Sequence, residues 1–157
     1  MKSDLNATAD VRGYLRRSVG LREDRPAGDF VIVTLFGGLP PPVAVTYTAT
    51  RLAGGLWAVE RIGRAIDYKA LTRLPPERLD YVLDQAGSDR IGALVNRPEL
   101  FKEVAGAVGG CTDSPIVTIE IVSEGRRRQA VRKACPPSDL TEQLIEAVTD
   151  AASSPGN

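Results

Sequence analysis

The sequence predicts an α+β domain with a mainly antiparallel sheet of about five strands and helices packed on one side. Two stretches, around residues 43–62 and 116–133, alternate apolar and polar side chains on both sides of a short Gly-containing turn, the pattern of a β-hairpin. Residues 30–36, FVIVTLF, form an apolar run of strand length, rich in Val and Ile, as expected of a strand covered on both faces. Helical spacings stand before, between and after these strands. The resulting order, α-β-β-β-α-α-β-β-α, lacks the strict alternation that an all-parallel sheet requires.

From the N-terminus, Asp10 reads as the N-cap of a short helix with Val11, Leu15 and Val19 on or near one face, and Gly20 stands just past its end. A polar segment broken by Pro26 and Gly28 leads to the apolar strand. After Gly37-Gly38-Leu39-Pro40-Pro41-Pro42 the chain alternates cleanly: Val43, Val45, Tyr47 and Ala49 face one way and Thr46, Thr48 and Thr50 the other. A three-residue loop at Ala53-Gly54-Gly55 pairs Ala49 with Val59 and Arg51 with Trp57. A two-residue loop mixes the faces, so the first register is expected.

Leu74-Pro75-Pro76 reads as the start of a helix through Gln85, with Leu79, Val82, Leu83 and Ala86 at helical spacing and Gly87 as its stop. Asn96-Arg97-Pro98 opens another, carrying Leu100, Phe101, Val104 and Val108 to Gly109-Gly110. The last helix begins at Ser138 as N-cap and runs through Leu140, Leu144, Ile145 and Val148 to Ala152. Residues 1–152 read as one domain and 153–157 as a disordered tail.

The hairpin between Cys111 and Cys135 organises the C-terminal half. Val117, Ile119 and Ile121 alternate with Thr118 and Glu120, and a three-residue loop at Ser123, Glu124 and Gly125 sets Val131 opposite Val117. That register leaves the two cysteines within about two residues of facing each other, so a small bulge brings them into disulfide range. They are the only cysteines of the chain, and a bridge is the simplest reading. Closing such a loop is worth roughly 3 kcal/mol in the chain-entropy account.

Lysine plus arginine number 20, as do aspartate plus glutamate, so no net charge draws the chain to nucleic acid or to an anionic membrane. There is no histidine, which removes the commonest general base, the commonest metal ligand and every Ser-His or Cys-His nucleophile. No apolar run is long enough to span a bilayer, and MKSDLNATADVRG carries no signal-type hydrophobic segment. No cofactor motif is present. The glycine pairs lack P-loop spacing, no Ser-x-x-Lys motif occurs, and two cysteines without histidine fall short of a zinc site unless carboxylates complete it.

Candidate contact residues remain. Arg126, Arg127 and Arg128, with Arg132 and Lys133, form a basic cluster that reads either as an anion clamp or as a charged sheet edge that resists edge pairing. On a strand Arg126 and Arg128 point away from Arg127, and no aromatic residue is interleaved for base stacking. Trp57, the only tryptophan, lies beside Arg51 in the expected register, either as an exposed cation–π anchor or as core. Glu60 and Glu120 are mid-strand carboxylates, the minimum for glycoside hydrolysis, with nothing in the sequence to bring them together.

At Cys111-Thr112-Asp113-Ser114-Pro115, followed by a strand, a basic return strand and Ala134-Cys135-Pro136, the chain resembles small exported bacterial proteins of unassigned function. In these a Trp-containing strand like Leu56-Trp57-Ala58-Val59-Glu60-Arg61 precedes helices and a cysteine-stapled hairpin. The resemblance spans about two-thirds of the chain and implies an oxidised Cys111–Cys135 pair and a periplasmic or secreted address. The element order is also similar to that of type III secretion chaperones, cytoplasmic homodimers that bind unfolded effector segments. An extra helix and a neutral net charge set the chain apart from them.

Taken together, the residues point to a non-enzymatic, exported module that binds another protein through the strand around Trp57 and the stapled hairpin. A cytoplasmic homodimeric adaptor with free thiols is the alternative, and a hydrolase using carboxylates or a Ser-Lys pair a second one.

Overall fold

The structure is a computed structural model that describes residues 2–22, 25–38, 43–67, 72–103, 115–132 and 139–151. In chain order the elements are α1 (Lys2–Ser18), β1 (Phe30–Gly37), β2 (Val43–Arg51), β3 (Trp57–Asp67) and β4 (Thr72–Val82). There follow α2 (Gln85–Val95), a 3-10 helix (Pro98–Lys102), β5 (Ile116–Ser123), β6 (Arg126–Arg132) and α3 (Leu140–Ala151). All six strands pair antiparallel in one sheet of order β4-β3-β2-β1-β5-β6. The α+β class holds, with six strands rather than five.

The additional strand is β4, which lies where the sequence predicts a helix. Two prolines are tolerated there because β4 is an edge strand. The Leu83 N–H donates to the Trp57 carbonyl, which fixes the phase of the ladder: Tyr81, Leu79 and Glu77 turn their backbone polar groups toward β3. Pro75 has no N–H to give, and the register shifts between Arg64 and Ile66 opposite it. Asp84 then caps α2, its carboxylate accepting the Gly87 N–H at 2.8 Å, so Gly87 stands in the first turn of a helix instead of ending one.

β1 is central, buried on both faces as its apolar run predicts. One face, with Val31, Val33, Val45, Tyr47, Ala49, Trp57, Val59, Ile119 and Ile121, packs on Ile91, Leu94, Leu100, Leu144 and Val148 from α2, the 3-10 helix and α3. The opposite face carries Thr34, Thr46, Thr48, Glu60, Thr118 and Glu120, and α1 lies on it: Arg12 hydrogen-bonds Thr46 and Thr48, which alternate with the core residues of β2. Helices therefore cover both faces, not one. A threonine-rich face leaves four strands' worth of half-polar surface that a single-sided layer cannot shield.

At the helix ends, α1 begins at Lys2, and Asp10 sits exposed within it. Its C-terminus closes as expected at Gly20, φ +80°, where Gly20 and Leu21 N–H bond back to the carbonyls of Arg17 and Arg16. In α3 the cap is Asp139, which accepts the Glu142 N–H at 2.9 Å, and the expected cap, Ser138, lies outside the described residues. The helix predicted from Pro98 is described only as the short 3-10 helix.

Both hairpin registers are now fixed. In the first, Ala49 pairs with Val59 and Arg51 with Trp57, as expected. In the second, Ser123 pairs with Arg126 around a two-residue turn, Glu124 (φ 51°) and Gly125 (φ 76°), so Val117 faces Arg132 and Val131 faces Thr118. The expected three-residue loop is replaced because two consecutive left-handed residues form the type I′ turn that matches strand twist. Cys111, Lys133, Cys135 and the 153–157 tail lie outside the described residues.

Candidate functional site

Three arginines converge over the threonine face. Register places Asp80, Glu60, Thr48, Ile32, Glu120 and Gln129 in one row across all six strands, and Thr46, Thr34 and Thr118 in the next. Helix α1 crosses these rows with Thr8 and Leu15 buried, a spacing that puts Arg12 and Arg16 on the same stripe. On one side Arg16 pairs with Glu60, which also holds Arg78 at 3.2 Å. On the other, Arg25 and Arg127 pair with Glu120 at 2.5 and 3.0 Å. Arg12 lies between the two carboxylates and within ion-pairing distance of neither.

Instead, Arg12 Nη1 donates to Thr46 Oγ1 at 3.0 Å and to Thr48 Oγ1 at 2.8 Å, and Thr46 shares a hydrogen bond with Thr34 Oγ1 at 3.0 Å. Arg12 Nη2 is buried with no hydrogen-bond partner among the described residues. Burial, reinforced by the charge of Arg16, pulls the Arg12 guanidinium down to about 10, although Glu60 and Glu120 act the other way. Open space flanks it. A cleft of about 360 Å³ runs between α1 and the sheet past Thr8, Arg12, Thr34, Thr118 and Glu120, and a second of about 520 Å³ passes Arg12, Thr48, Glu60 and Asp80.

Glu60 and Glu120 lie on the same face of the sheet, Glu120 lining the first cleft and Glu60 the second, yet they do not form a catalytic pair. Three strand spacings separate them, roughly 14 Å along the row, whereas glycosidase carboxylates stand within about 10 Å of each other. Each is also ion-paired with two guanidiniums, Glu60 with Arg16 and Arg78 and Glu120 with Arg25 and Arg127.

The contact residues expected from sequence are dispersed. Trp57 is 1 % exposed, in the core beneath α2, its backbone N–H donating to the buried Ser88 Oγ at 2.9 Å. Arg51 is its cross-strand neighbour, but its guanidinium turns to Asp29, 3.4 Å away. Arg126 stacks over Phe101 with 4.4 Å to the ring centroid, Arg128 is buried against the Leu100 carbonyl and Glu103, and Arg127 lies on the opposite face with Glu120. The three consecutive arginines thus serve three separate contacts.

No described helix is long and apolar enough to cross a membrane, and no group of three or more potential metal ligands occurs among the described residues. No protein-family model matches the chain, and no curated protein matches it.

Proposed function

We propose that the protein is a non-enzymatic binding module whose ligand site is the cleft between α1 and the threonine face, where it takes up a carboxylate or phosphate group. The reading is carried by Arg12, a cation whose second terminal nitrogen is buried and unpartnered while its neighbours Arg16 and Arg25 already hold Glu60 and Glu120. A buried unsatisfied donor costs about 1–3 kcal/mol, and more when charged; an anion in the cleft supplies both the missing acceptor and the missing charge. A protein partner presenting an acidic side chain or chain terminus fits the same chemistry as a small anion. The exported address and the Cys111–Cys135 bridge belong to this reading and rest on the sequence, with the cytoplasmic adaptor as their alternative.

The test is a thermal-shift and calorimetric titration with inorganic phosphate, citrate and a glutamate-rich peptide as probes. At least one probe is expected to raise the melting temperature of the wild type and of Arg51→Gln, which lies outside the cleft, but not of Arg12→Gln. A wild type indifferent to all three, or an Arg12→Gln variant that responds equally, overturns the reading. Which probe binds distinguishes a peptide partner from a free anion.

A further inference from the structure

The two sheet edges are unlike. At β6, the 3-10 helix packs against the strand, with Phe101 under Arg126 and the Leu100 carbonyl on Arg128. At β4, no described element other than β3 makes an extensive contact, and three of the five large hydrophobic residues exposed among the described residues lie there: Leu74, Leu79 and Val82. Long edges with apolar side chains are templates for further pairing.

The ladder phase says which groups are free. Since Leu83, Tyr81, Leu79 and Glu77 turn toward β3, the N–H and C=O of Val82, Asp80 and Arg78, and the carbonyl of Pro76, point outward. The side chains along this edge are open to solvent, with Val82 64 % and Leu79 39 % accessible. A second copy pairing antiparallel on this edge must set outward residues opposite outward residues. Only a few two-fold registers do so while using most of the edge. One centres on Arg78 and sets it against its own copy, and another centres on Asp80 with the same fault; like charges directly opposite are destabilising. The register centred on Leu79 sets Arg78 opposite the second copy's Asp80, twice over, and Leu79 against Leu79.

We propose that the protein forms a two-fold dimer by antiparallel pairing of β4 with β4 of a second copy, centred on Leu79, making one continuous sheet. Arg78 and Asp80 each exchange both backbone hydrogen bonds with their opposite residue, and the Val82 N–H donates to the Pro76 carbonyl across the axis. Pro76 loses nothing there, because its missing donor is the only group the register leaves unused on that residue. The Arg78 guanidinium, which bridges Glu60 and Asp80 within one chain, gains the partner copy's Asp80 carboxylate. Directly opposite residues share a face, so the axis is perpendicular to the sheet and both α1 clefts open on the same side. This places the dimer contact at a strand edge, and it rests on no part of the anion reading.

Sedimentation velocity over a concentration series tests it. The wild type is expected to shift from monomer to dimer as concentration rises, Arg78→Asp and Asp80→Arg each to remain monomeric, and the double exchange R78D/D80R to recover the dimer. Asp80→Pro removes one outward N–H and no β3–β4 bond, so a folded monomer is expected, with folding checked by circular dichroism. A wild type monomeric at every attainable concentration, a folded double exchange that stays monomeric, or a dimeric Asp80→Pro overturns the proposal.

Discussion

Glu103 and Thr141 are joined twice: one Glu103 carboxylate oxygen, Oε2, accepts both the Thr141 hydroxyl at 2.6 Å and its backbone N–H at 3.0 Å. The other, Oε1, accepts the Leu140 N–H at 2.8 Å, and Arg128 stands 3.5 Å away. A residue just past the 3-10 helix therefore holds the first turn of α3, whose own cap is Asp139, itself paired with Arg132. The N-terminus of α3 is thus fastened to both the 3-10 helix and β6.

Burial pushes the Glu103 carboxyl up, but the hydrogen bonds from Thr141 and from the Leu140 and Thr141 N–H groups, with Arg128, outweigh it and hold its pKa below the usual value. The folded state therefore binds this proton less readily than the unfolded chain. Its stabilisation is present above the ordinary carboxylate pKa and is lost as pH falls through the lowered one. Glu103→Gln should cost about 1–3 kcal/mol at neutral pH, with a difference from wild type that shrinks in denaturant titrations at acid pH. Glu142 is the opposite case: burial and Glu146 raise its pKa. Its charge opposes folding at neutral pH, so Glu142→Gln is expected to stabilise there and to lose its advantage as pH falls and the wild-type carboxyl protonates.

Glu124 occupies a left-handed conformation, φ 51°, at the first position of the type I′ turn. Asparagine tolerates that conformation better than glutamate. Glu124→Asn should stabilise the hairpin by a few tenths of a kcal/mol, up to about 1, whereas Gly125→Ala should destabilise it. Urea midpoints of the two variants, moving in opposite directions from wild type, check the register as well as the turn.

How far the sequence could be read depended on whether one physical constraint or two acted on a stretch. In β2–β3 the alternation and the Gly54-Gly55 turn agree, and the register followed. In β4, Leu79, Val82 and Leu83 fit a helical stripe, and Pro75-Pro76 suits a helix start as well as an edge strand. The competing signal was there in Arg78-Leu79-Asp80-Tyr81, charged and apolar in alternation, followed by Asp84 as a cap. The threonines of β2 were legible as one face, but what covers a half-polar face is a tertiary fact. For that reason Arg12, on a helix that looks solvated, gave no sign of being the centre of the cleft.

Trp57 illustrates the same limit, since strand position alone allowed either core or surface. Its burial predicts blue-shifted fluorescence that resists aqueous quenchers and does not respond to a ligand bound under α1. Ser88→Ala would strand the Trp57 backbone N–H in the core, a cost of about 1–3 kcal/mol. A thermal melt near the wild-type value would show that another acceptor can reach that N–H.

Arg12 separates a structural role from a binding one. If it served only to tie α1 to the sheet through Thr46 and Thr48, replacing it would lower stability whatever the solution contains. A guanidinium kept buried with an unpartnered nitrogen for a ligand carries a cost in the empty protein, and removing such a group is often neutral or stabilising. Arg12→Leu fills the stem's volume without the charge and leaves Thr46 its bond to Thr34. The expected outcome is an unchanged or higher melting temperature in anion-free buffer, with the wild type overtaking it when the effective probe is added. A large loss of stability in anion-free buffer would assign Arg12 to the fold and remove the cleft as its reason for being there.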